Sequence, residues 1–503
     1  MTAIPLAATP AISYTFGQAA SDLRQVAPIT AVTATLLAAI LVDLALPVRR
    51  RGLAVAVLSA AGLAVALGLA AWNWASGGGH AAYSGFATGD QMAVYLEILL
   101  SVLGILTVAV THAYVRRRGF LESELHVLTL AAVVGMMVLA AATSLVTVFL
   151  GLETLSVALY VACGYARRET SSQEAAAKYL LVGGFASAFV LYGMALVYGA
   201  AGSTLLPEIA RRLGPADAAN PLLLAGVLLM GVGFAYKISG APFHQWTPDV
   251  YQGAPLPVTA FMSVGTKAAA FAMIIRVFDY ALPSMGTEWQ ALLAFVAATS
   301  MILGNLVAIV QSSVKRLLGY SGIAQGGYML IGVLAGGQRG IGAVLFYLLA
   351  YLFMNFGAFA VLTVLVTPTG ERDRLEDLDG FGYRHPLLGV LMTVFMLSLA
   401  GFPPMVGFFG KLFLFTAGVS AGWTWLVVIA VLTSVVSVAY YLRVVYHVWT
   451  PVAVVERAEL ERRTGLGPLV AVGVSGVLSV AMGVFASVVQ VAGFLGAGPV
   501  AGR

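Results

Sequence analysis

Six ionisable side chains lie in otherwise apolar stretches, and each of them can bind or release a proton. They are Glu153, Lys178, Lys237, His244, Lys267 and Lys411. A lysine in water has a pKa of about 10.4 and rarely releases its proton near pH 7. Burial can lower the pKa of a lysine by about 3 to 5 units, and a nearby carboxylate raises it again. A buried lysine whose carboxylate partner comes and goes can therefore load and release a proton.

The spacing of these residues allows a row along the plane of a membrane. Glu153 and Lys178 would form its first pair, Lys237 and Lys267 would follow with His244 between them, and Lys411 would end it. A histidine can relay a proton between two lysines because its own pKa lies near neutrality. We expect Arg276 and Arg443 to be structural or interfacial, and Trp246 and Tyr251 to pack or cap rather than react.

Three of these assignments have simpler alternatives. Glu153 and Lys178 can be a static ion pair that braces two helices, and their depths match only if the helix of Lys178 begins near Thr170. Lys178 alone lies close to a helix end, where a long side chain can reach the membrane surface. His244 can instead satisfy free carbonyl groups at a helix break.

The lysines flank two interruptions of apolar helices. Gly240 and Pro242 break the helix that reaches Lys237, and the sequence Gly401-Phe-Pro-Pro breaks a second helix shortly before Lys411. Charged side chains and non-helical backbone at membrane depth are costly and mark functional sites. The two breaks are five spans apart, which predicts inverted repeats of the kind found in ion transporters. The alternative is that both are ordinary glycine–proline kinks.

Composition identifies the class of protein. The 503 residues are 60% hydrophobic and 10% charged, which is typical of a multi-pass membrane protein. The one cysteine excludes disulfides and multi-cysteine metal sites within a single chain. No basic stretch precedes the first apolar segment, so we expect no cleaved signal peptide. The polar connections are short, and glycine pairs such as Gly183–Gly184 lie inside apolar helices, where they favour helix packing rather than nucleotide binding.

We predict an all-α integral membrane fold of about 14 transmembrane helices with two inverted five-helix repeats, each with a broken helix. The predicted spans are 26–48, 53–75, 92–115, 124–142, 144–166, 174–200, 221–253 (broken), 256–281, 288–311, 317–336, 340–367, 386–418 (broken), 422–448 and 467–494. The predicted units are residues 1–123 with helices 1–3, 124–281 with repeat one, 282–449 with repeat two, and 450–503 with a cytoplasmic loop and helix 14.

The basic residues predict the orientation of the chain. Sixteen of the 27 Lys and Arg residues fall on one set of alternate connections, five on the other set and six within spans. Because short cytoplasmic loops are rich in Lys and Arg, the first set is predicted to be cytoplasmic. Both termini are then predicted on the outer side of the cell membrane.

The stretch Pro242-Phe-His-Gln-Trp-Thr-Pro-Asp-Val-Tyr-Gln-Gly-Ala-Pro resembles the antiporter-like membrane subunits of proton-pumping NADH-quinone oxidoreductase, respiratory complex I. Gly401-Phe-Pro-Pro-Met-Val-Gly-Phe-Phe-Gly-Lys-Leu and Gly151-Leu-Glu-Thr-Leu resemble the same family. The likeness covers about residues 125 to 450. Lys267, Lys411 and the lack of a long lateral helix favour the subunit N branch over the L and M branches.

This resemblance implies functional roles for the six residues. Glu153 and Lys178 would be a modulating pair, Lys237, His244 and Lys267 a central relay, and Lys411 the terminal proton site. The chain itself would bind no cofactor, because FMN, the iron–sulfur clusters, NADH and quinone would lie on partner subunits. The chain would be one subunit of a hetero-oligomer in the lipid bilayer, with no nucleic acid.

Two other functions fit parts of this pattern. A subunit of a multi-subunit sodium/proton antiporter would share the fold and the lysines, but would exchange ions without a redox partner. The sequence Asp249-Val-Tyr-Gln-Gly-Ala-Pro argues against the antiporter alternative. A structural scaffold within complex I would keep full pumping when single lysines are replaced.

Overall fold

The structure is a computed structural model that describes residues 16–77, 79, 81–120, 122–451 and 465–498. Within these residues, 12 helices are long and apolar enough to cross a membrane. Two further spans are each split into two shorter helices by a break. The predicted all-α membrane fold of about fourteen spans, two of them broken, is therefore confirmed.

The N-terminal part contains one short helix and three spans. These helices are α1 (Phe16–Gln25), α2 (Ala27–Ala45), α3 (Val48–Ala75) and α4 (Gln91–Arg118). Between α3 and α4, the short strands Ala81–Ala82 (β1) and Ala87–Thr88 (β2) pair antiparallel. Asp90 caps α4, because its carboxylate accepts a hydrogen bond from the backbone N–H of Ala93 at 2.9 Å.

The first group of five spans follows and contains the first break. Its helices, with the short connecting helix α8, are α5 (Glu122–Ala141), α6 (Leu145–Cys163), α7 (Thr170–Ala201), α8 (Leu206–Arg212), α9 (Pro221–Lys237), α10 (Trp246–Gly253) and α11 (Leu256–Ile274). A π-helical segment, Ile275–Ala281, continues α11. Small residues bring neighbouring helices together, since a Cβ on Gly135 of α5 would overlap the backbone nitrogen of Leu155 on α6.

The second group repeats this order of spans. Its helices, with the short connecting helix α15, are α12 (Gly286–Ile309), α13 (Val314–Ala335), α14 (Gly337–Leu362), α15 (Phe381–Arg384), α16 (Pro386–Ala400), α17 (Val406–Ser420) and α18 (Thr424–Val448). The last span, predicted as 467–494, is bent and forms α19 (Leu466–Val484) and α20 (Ala486–Gly496). At the bend, a Cβ on Gly483 would overlap the carbonyl oxygen of Pro404.

The two breaks occupy the same place in each group, the fourth of five spans. The first lies between Lys237 and Trp246, where Ser239 has a left-handed φ of 64° and the Ala241–Pro242 bond is cis. The second follows Ala400, where Gly401 has φ 92°. A positive φ favours glycine because it has no Cβ. The inverted relation of the groups and the unit boundaries stay predictions.

The helices that surround Lys267 form the most enclosed part of the fold. In the 18-residue apolar stretch of α11, 100% of the residues are buried, and in those of α13 and α14 the share is 94% each. The corresponding stretch of α2 is only 22% buried and that of α18 only 33%. The interior therefore contains α11, α13 and α14, whereas α2 and α18 present apolar side chains outward.

Candidate proton-transfer site

Lys237 is the last residue of α9, and its side chain turns into the bundle. Its amino group donates a hydrogen bond of 2.7 Å to the hydroxyl of Ser156 on α6. The same amino group lies 5.8, 6.0 and 5.7 Å from the ring centroids of Tyr160, Tyr179 and Tyr236. Aromatic faces stabilise a cation at such distances. Lys237 is thus buried in a site that, within the described part of the chain, holds an ammonium group without a direct carboxylate contact.

Glu153 lies one helical turn from the hydroxyl that Lys237 contacts. Residues three apart on a helix are neighbours, so Glu153 and Ser156 share a face of α6. The carboxylate of Glu153 accepts a hydrogen bond from the hydroxyl of Ser187 on α7, and it lies within electrostatic range of Lys237. The structure therefore brings Glu153 to Lys237.

The contacts of Lys178 are with acids other than the predicted partner Glu153, and the Glu153–Lys178 pairing stays a prediction. Although α7 does begin at Thr170, the amino group of Lys178 binds Asp249 at 2.7 Å and Glu174 at 2.6 Å. Counted from the connection between the two helices, Glu153 lies ten residues inside α6 and Lys178 eight residues inside α7, so their depths are similar. Lys178 nevertheless binds acids of α7 and α10.

Asp249 joins Lys178 to the start of α13. Its second carboxylate oxygen accepts a hydrogen bond of 2.6 Å from Arg316. Lys178, Asp249 and Arg316 line a cavity of about 500 Å³ at the end of the bundle predicted to be cytoplasmic. The other polar residues that line this inlet cavity include Glu169, Glu174, Gln252, Glu371 and Asp373. Because Asp249, Gln252 and Gly253 belong to α10, the cavity borders the helix that follows the first break.

Lys267 lies at the centre of α11 and is fully buried. Among the described residues its amino group has no hydrogen-bond partner, and the ring of Tyr251 is 6.0 Å away. A Cβ on Gly322 of α13 would lie 3.4 Å from this amino group and 3.0 Å from the hydroxyl of Tyr351. A lysine at such depth is costly, which marks a functional position.

Lys411 is held at the second break. Its amino group donates hydrogen bonds to the carbonyl of Ala400 at 3.0 Å and to the hydroxyl of Ser434 at 2.9 Å. Ala400 ends α16, and a cation is favourable at the carbonyl end of a helix. The ring centroid of Tyr328 lies 5.3 Å from the same amino group. The helix break thus supplies the acceptor that the lysine needs.

A buried polar network lies between the surroundings of Lys267 and those of Lys411. Its centre is Gln325 on α13, whose amide nitrogen donates to the carbonyl of Leu399 at 3.3 Å and to the hydroxyl of Tyr441 at 3.0 Å. The amide oxygen of Gln325 accepts from Tyr347, and Tyr441 shares a hydrogen bond with Ser321. This Gln325 network connects α13 to the end of the broken helix α16.

His244 is not placed between the two lysines by any contact in the described residues. It is half-buried in the connection between α9 and α10, where it interacts with the backbone of Pro242. Its ring centroid lies 6.3 Å from that of Tyr320 on α13. These contacts favour a local role at the break, and its relay role stays a prediction.

Comparison with known proteins identifies the family. Residues 142–437 match a family model described as NADH:quinone oxidoreductase/Mrp antiporter, TM. A protein of Trichlorobacter lovleyi named NADH-quinone oxidoreductase subunit N is 44% identical over 430 residues, which cover 85% of this chain and 88% of that protein. The chain belongs to the subunit N family.

Solved structures agree with this assignment. A chain in respiratory complex I from Thermus thermophilus is 35% identical, with a TM-score of 0.79, and the match covers 92% of this chain and 98% of that one. A chain of the Mrp complex from Dietzia sp. has a TM-score of 0.82 but is 22% identical, over 95% of this chain and 98% of that one. The second likeness shows the shared fold alone. The sodium/proton antiporter alternative is thus less well supported than subunit N.

In this subunit N family member, the side chains expected to be structural make the following contacts. Arg276 forms two hydrogen bonds with Asp90, and Arg443 donates to the carbonyl of Ile309, the last residue of α12, at 2.9 Å. Trp246 stacks on Tyr179 with ring centroids 4.6 Å apart. These side chains fix helix ends and the wall around Lys237.

Sequence reasoning missed several polar residues of the interior. Asp249 enters the sequence-based prediction only as part of a family motif, and Gln325 carries no charge that would single it out. Glu97 and His126 lie inside predicted spans and are fully buried. An ionisable side chain within an apolar span is the signal that identifies both.

Proposed function

We propose that this chain moves protons across the membrane within NADH-quinone oxidoreductase, and that Lys237, Lys267 and Lys411 hold them in turn. The observation that carries the proposal is the burial of all three amino groups among helices α9, α11 and α17, two of which adjoin a break. Isolated lysines at membrane depth are retained for proton or ion transfer rather than for stability.

Protons enter the row from the inlet cavity in this proposal. Lys178, Asp249 and Arg316 hold its walls, and Asp249 belongs to the short helix that follows the first break. A proton that arrives there passes the non-helical segment between α9 and α10 and reaches Lys237 or Lys267. The charge of Glu153 favours the protonated form of Lys237, so any approach of a second cation to Glu153 promotes release.

The Gln325 network joins the central lysine to the terminal one. A neutral amide cannot carry an excess proton at ordinary pH, but it orients the hydroxyl groups of Tyr441 and Tyr347. These hydroxyls, with Ser321, form the polar side of a path from Lys267 to Lys411. Release from Lys411 is directed to the side predicted to be outside.

The redox chemistry belongs to partner subunits in this proposal. Other subunits of the hetero-oligomer bind FMN, the iron–sulfur clusters, NADH and quinone. The redox reactions there drive proton transfer along the lysine row through contacts between subunits. Both termini lie outside, in the orientation that the distribution of basic residues predicts.

Purification of the tagged chain from its native membrane tests this function. Flavin and iron–sulfur proteins should copurify, and NADH added to vesicles containing the complex should drive proton uptake. An antiporter would copurify with small membrane proteins and exchange sodium for protons without NADH. That second result would overturn the proposal.

A further inference from the structure

Glu97 is a buried acid that the lysine row does not use. It lies on α4 and is fully buried, and neither carboxylate oxygen has a hydrogen-bond partner among the described residues. Burial of an unpaired carboxylate is much more costly than burial of the neutral acid. A side chain kept at that cost inside a membrane span is a candidate for function.

An ion pair lies beside Glu97 at the same end of α4. The guanidinium of Arg276 donates to the two carboxylate oxygens of Asp90 at 2.9 and 2.8 Å, and its Nε donates to the carbonyl of Ala140 at 2.7 Å. Asp90 and Arg276 both lie within electrostatic range of Glu97. Residues seven apart lie on the same face of a helix, so Asp90 and Glu97 are separated by about 10 Å along one side of α4.

The other helices packed on α4 add no described charge near this group. Arg50 and Arg51 of α3 lie at the opposite end of the span, as do Glu124 and His126 of α5. Arg339 in the first turn of α14 lies at the same end of the bundle, but it is exposed and only Asp90 and Arg276 act electrostatically on Glu97 among the described residues. Helices α19 and α20 carry no charged residue in their described parts. Two carboxyl groups therefore share one guanidinium, and only one of them is paired with it.

We propose that Glu97 holds a proton in this state, and that the proton passes to Asp90 when Arg276 changes partner from Asp90 to Glu97. The O–H bond on Glu97 breaks and an O–H bond on Asp90 forms. Arg276 keeps its proton throughout, so the net charge of the three groups is constant. The site exchanges protons with the side of the membrane on which the connection before α4 lies, predicted to be the outer side.

The π-helical segment around Arg276 supplies a place for the change of partner. Such segments are rare and recur at functional sites, because they interrupt the regular hydrogen bonds of an α-helix. Lys267 lies nine residues earlier, about half a turn around the axis of α11. The Glu97 site and the lysine row are therefore on opposite faces of one helix, and the proposal does not depend on proton transfer by the lysines.

Infrared difference spectroscopy on the whole complex tests this site directly. The wild-type complex should show the C=O band of a buried protonated carboxyl group at neutral pH. Glu97→Gln should remove that band, whereas Glu208→Gln, at an acid on the connecting helix α8, should leave it. A spectrum of Glu97→Gln identical to that of the wild type would overturn the proposal.

The variant Asp90→Asn distinguishes the proposed proton exchange between Glu97 and Asp90 from a Glu97 that is protonated in every state. Without the carboxylate of Asp90, Arg276 pairs with Glu97, so the band should disappear although Glu97 is present. Persistence of the band in Asp90→Asn would contradict the proposed exchange. If that variant does not assemble, Arg276→Gln gives the reverse test, since the band should persist there and its loss would overturn the proposal.

Discussion

The amino group of Lys237 lies 2.7 Å from the hydroxyl oxygen of Ser156, one helical turn from Glu153 on the same helix. This relationship places Glu153 of α6 close to Lys237 at the first break. Lys178 instead lines the inlet cavity. The acid within electrostatic range of Lys237 thus lies on the same helix as the hydroxyl that Lys237 contacts, whereas Lys178 binds Asp249 and Glu174.

Glu153→Gln should lower the number of protons pumped per NADH oxidised, because the charge that favours protonation of Lys237 is lost. Glu153→Asp keeps the charge and should retain part of the activity. Proton uptake by vesicles containing the purified complex measures both variants. Equal pumping by the Gln and Asp variants would count against a role for the charge.

Asp249→Asn should slow NADH-driven pumping, since it removes both the Lys178 and the Arg316 contacts at the inlet cavity. Stability should change little, because partly exposed ion pairs contribute about 0 to 1 kcal/mol. Glu174→Gln is the matched control, as it leaves the Asp249 contacts in place. If the control slows pumping as much as Asp249→Asn, the inlet does not depend on Asp249.

Gln325→Leu should reduce the ratio of protons pumped to NADH oxidised, because the hydroxyls of Tyr441 and Tyr347 lose their shared partner. A buried group left without a partner costs about 1 to 3 kcal/mol, so the melting temperature of the variant should also fall. Gln338→Leu is the control, since Gln338 is exposed and its side chain donates a hydrogen bond to the carbonyl of Phe494, outside the Gln325 network. A normal ratio in Gln325→Leu would exclude the network from the path.

Gly401→Ala should impair pumping more than Gly422→Ala. Both glycines have a positive φ, 92° and 88°, so each substitution carries a backbone cost of about 1 to 2 kcal/mol. Only at Gly401 would the new Cβ meet the lysine, 3.2 Å from the Cδ of Lys411, whereas Gly422 has open space around it. Equal losses in the two variants would mean that strain alone is responsible.

The sequence predicts the spans and both breaks well, because apolar length, glycine and proline act locally. It also identifies Lys237, Lys267 and Lys411, since a lysine in an apolar run has few structural explanations. The partner of Lys178 could not be predicted, because Asp249 reaches it only through the tertiary packing of α10 against α7. Gln325 was missed since its role arises only from the meeting of α13, α14 and α18.

The central claim is tested most directly by NADH-driven proton pumping in Lys237 and Lys411 variants, measured both as a rate and as the number of protons pumped per NADH oxidised. Arginine keeps the charge but does not release its proton in proteins, so Lys→Arg separates proton release from charge. We predict that Lys237→Ala, Lys237→Arg, Lys411→Ala and Lys411→Arg assemble, oxidise NADH with an artificial acceptor at the normal rate, and pump about tenfold more slowly, which corresponds to about 1.4 kcal/mol in the barrier. A normal ratio and rate of pumping in the arginine variants would contradict the account.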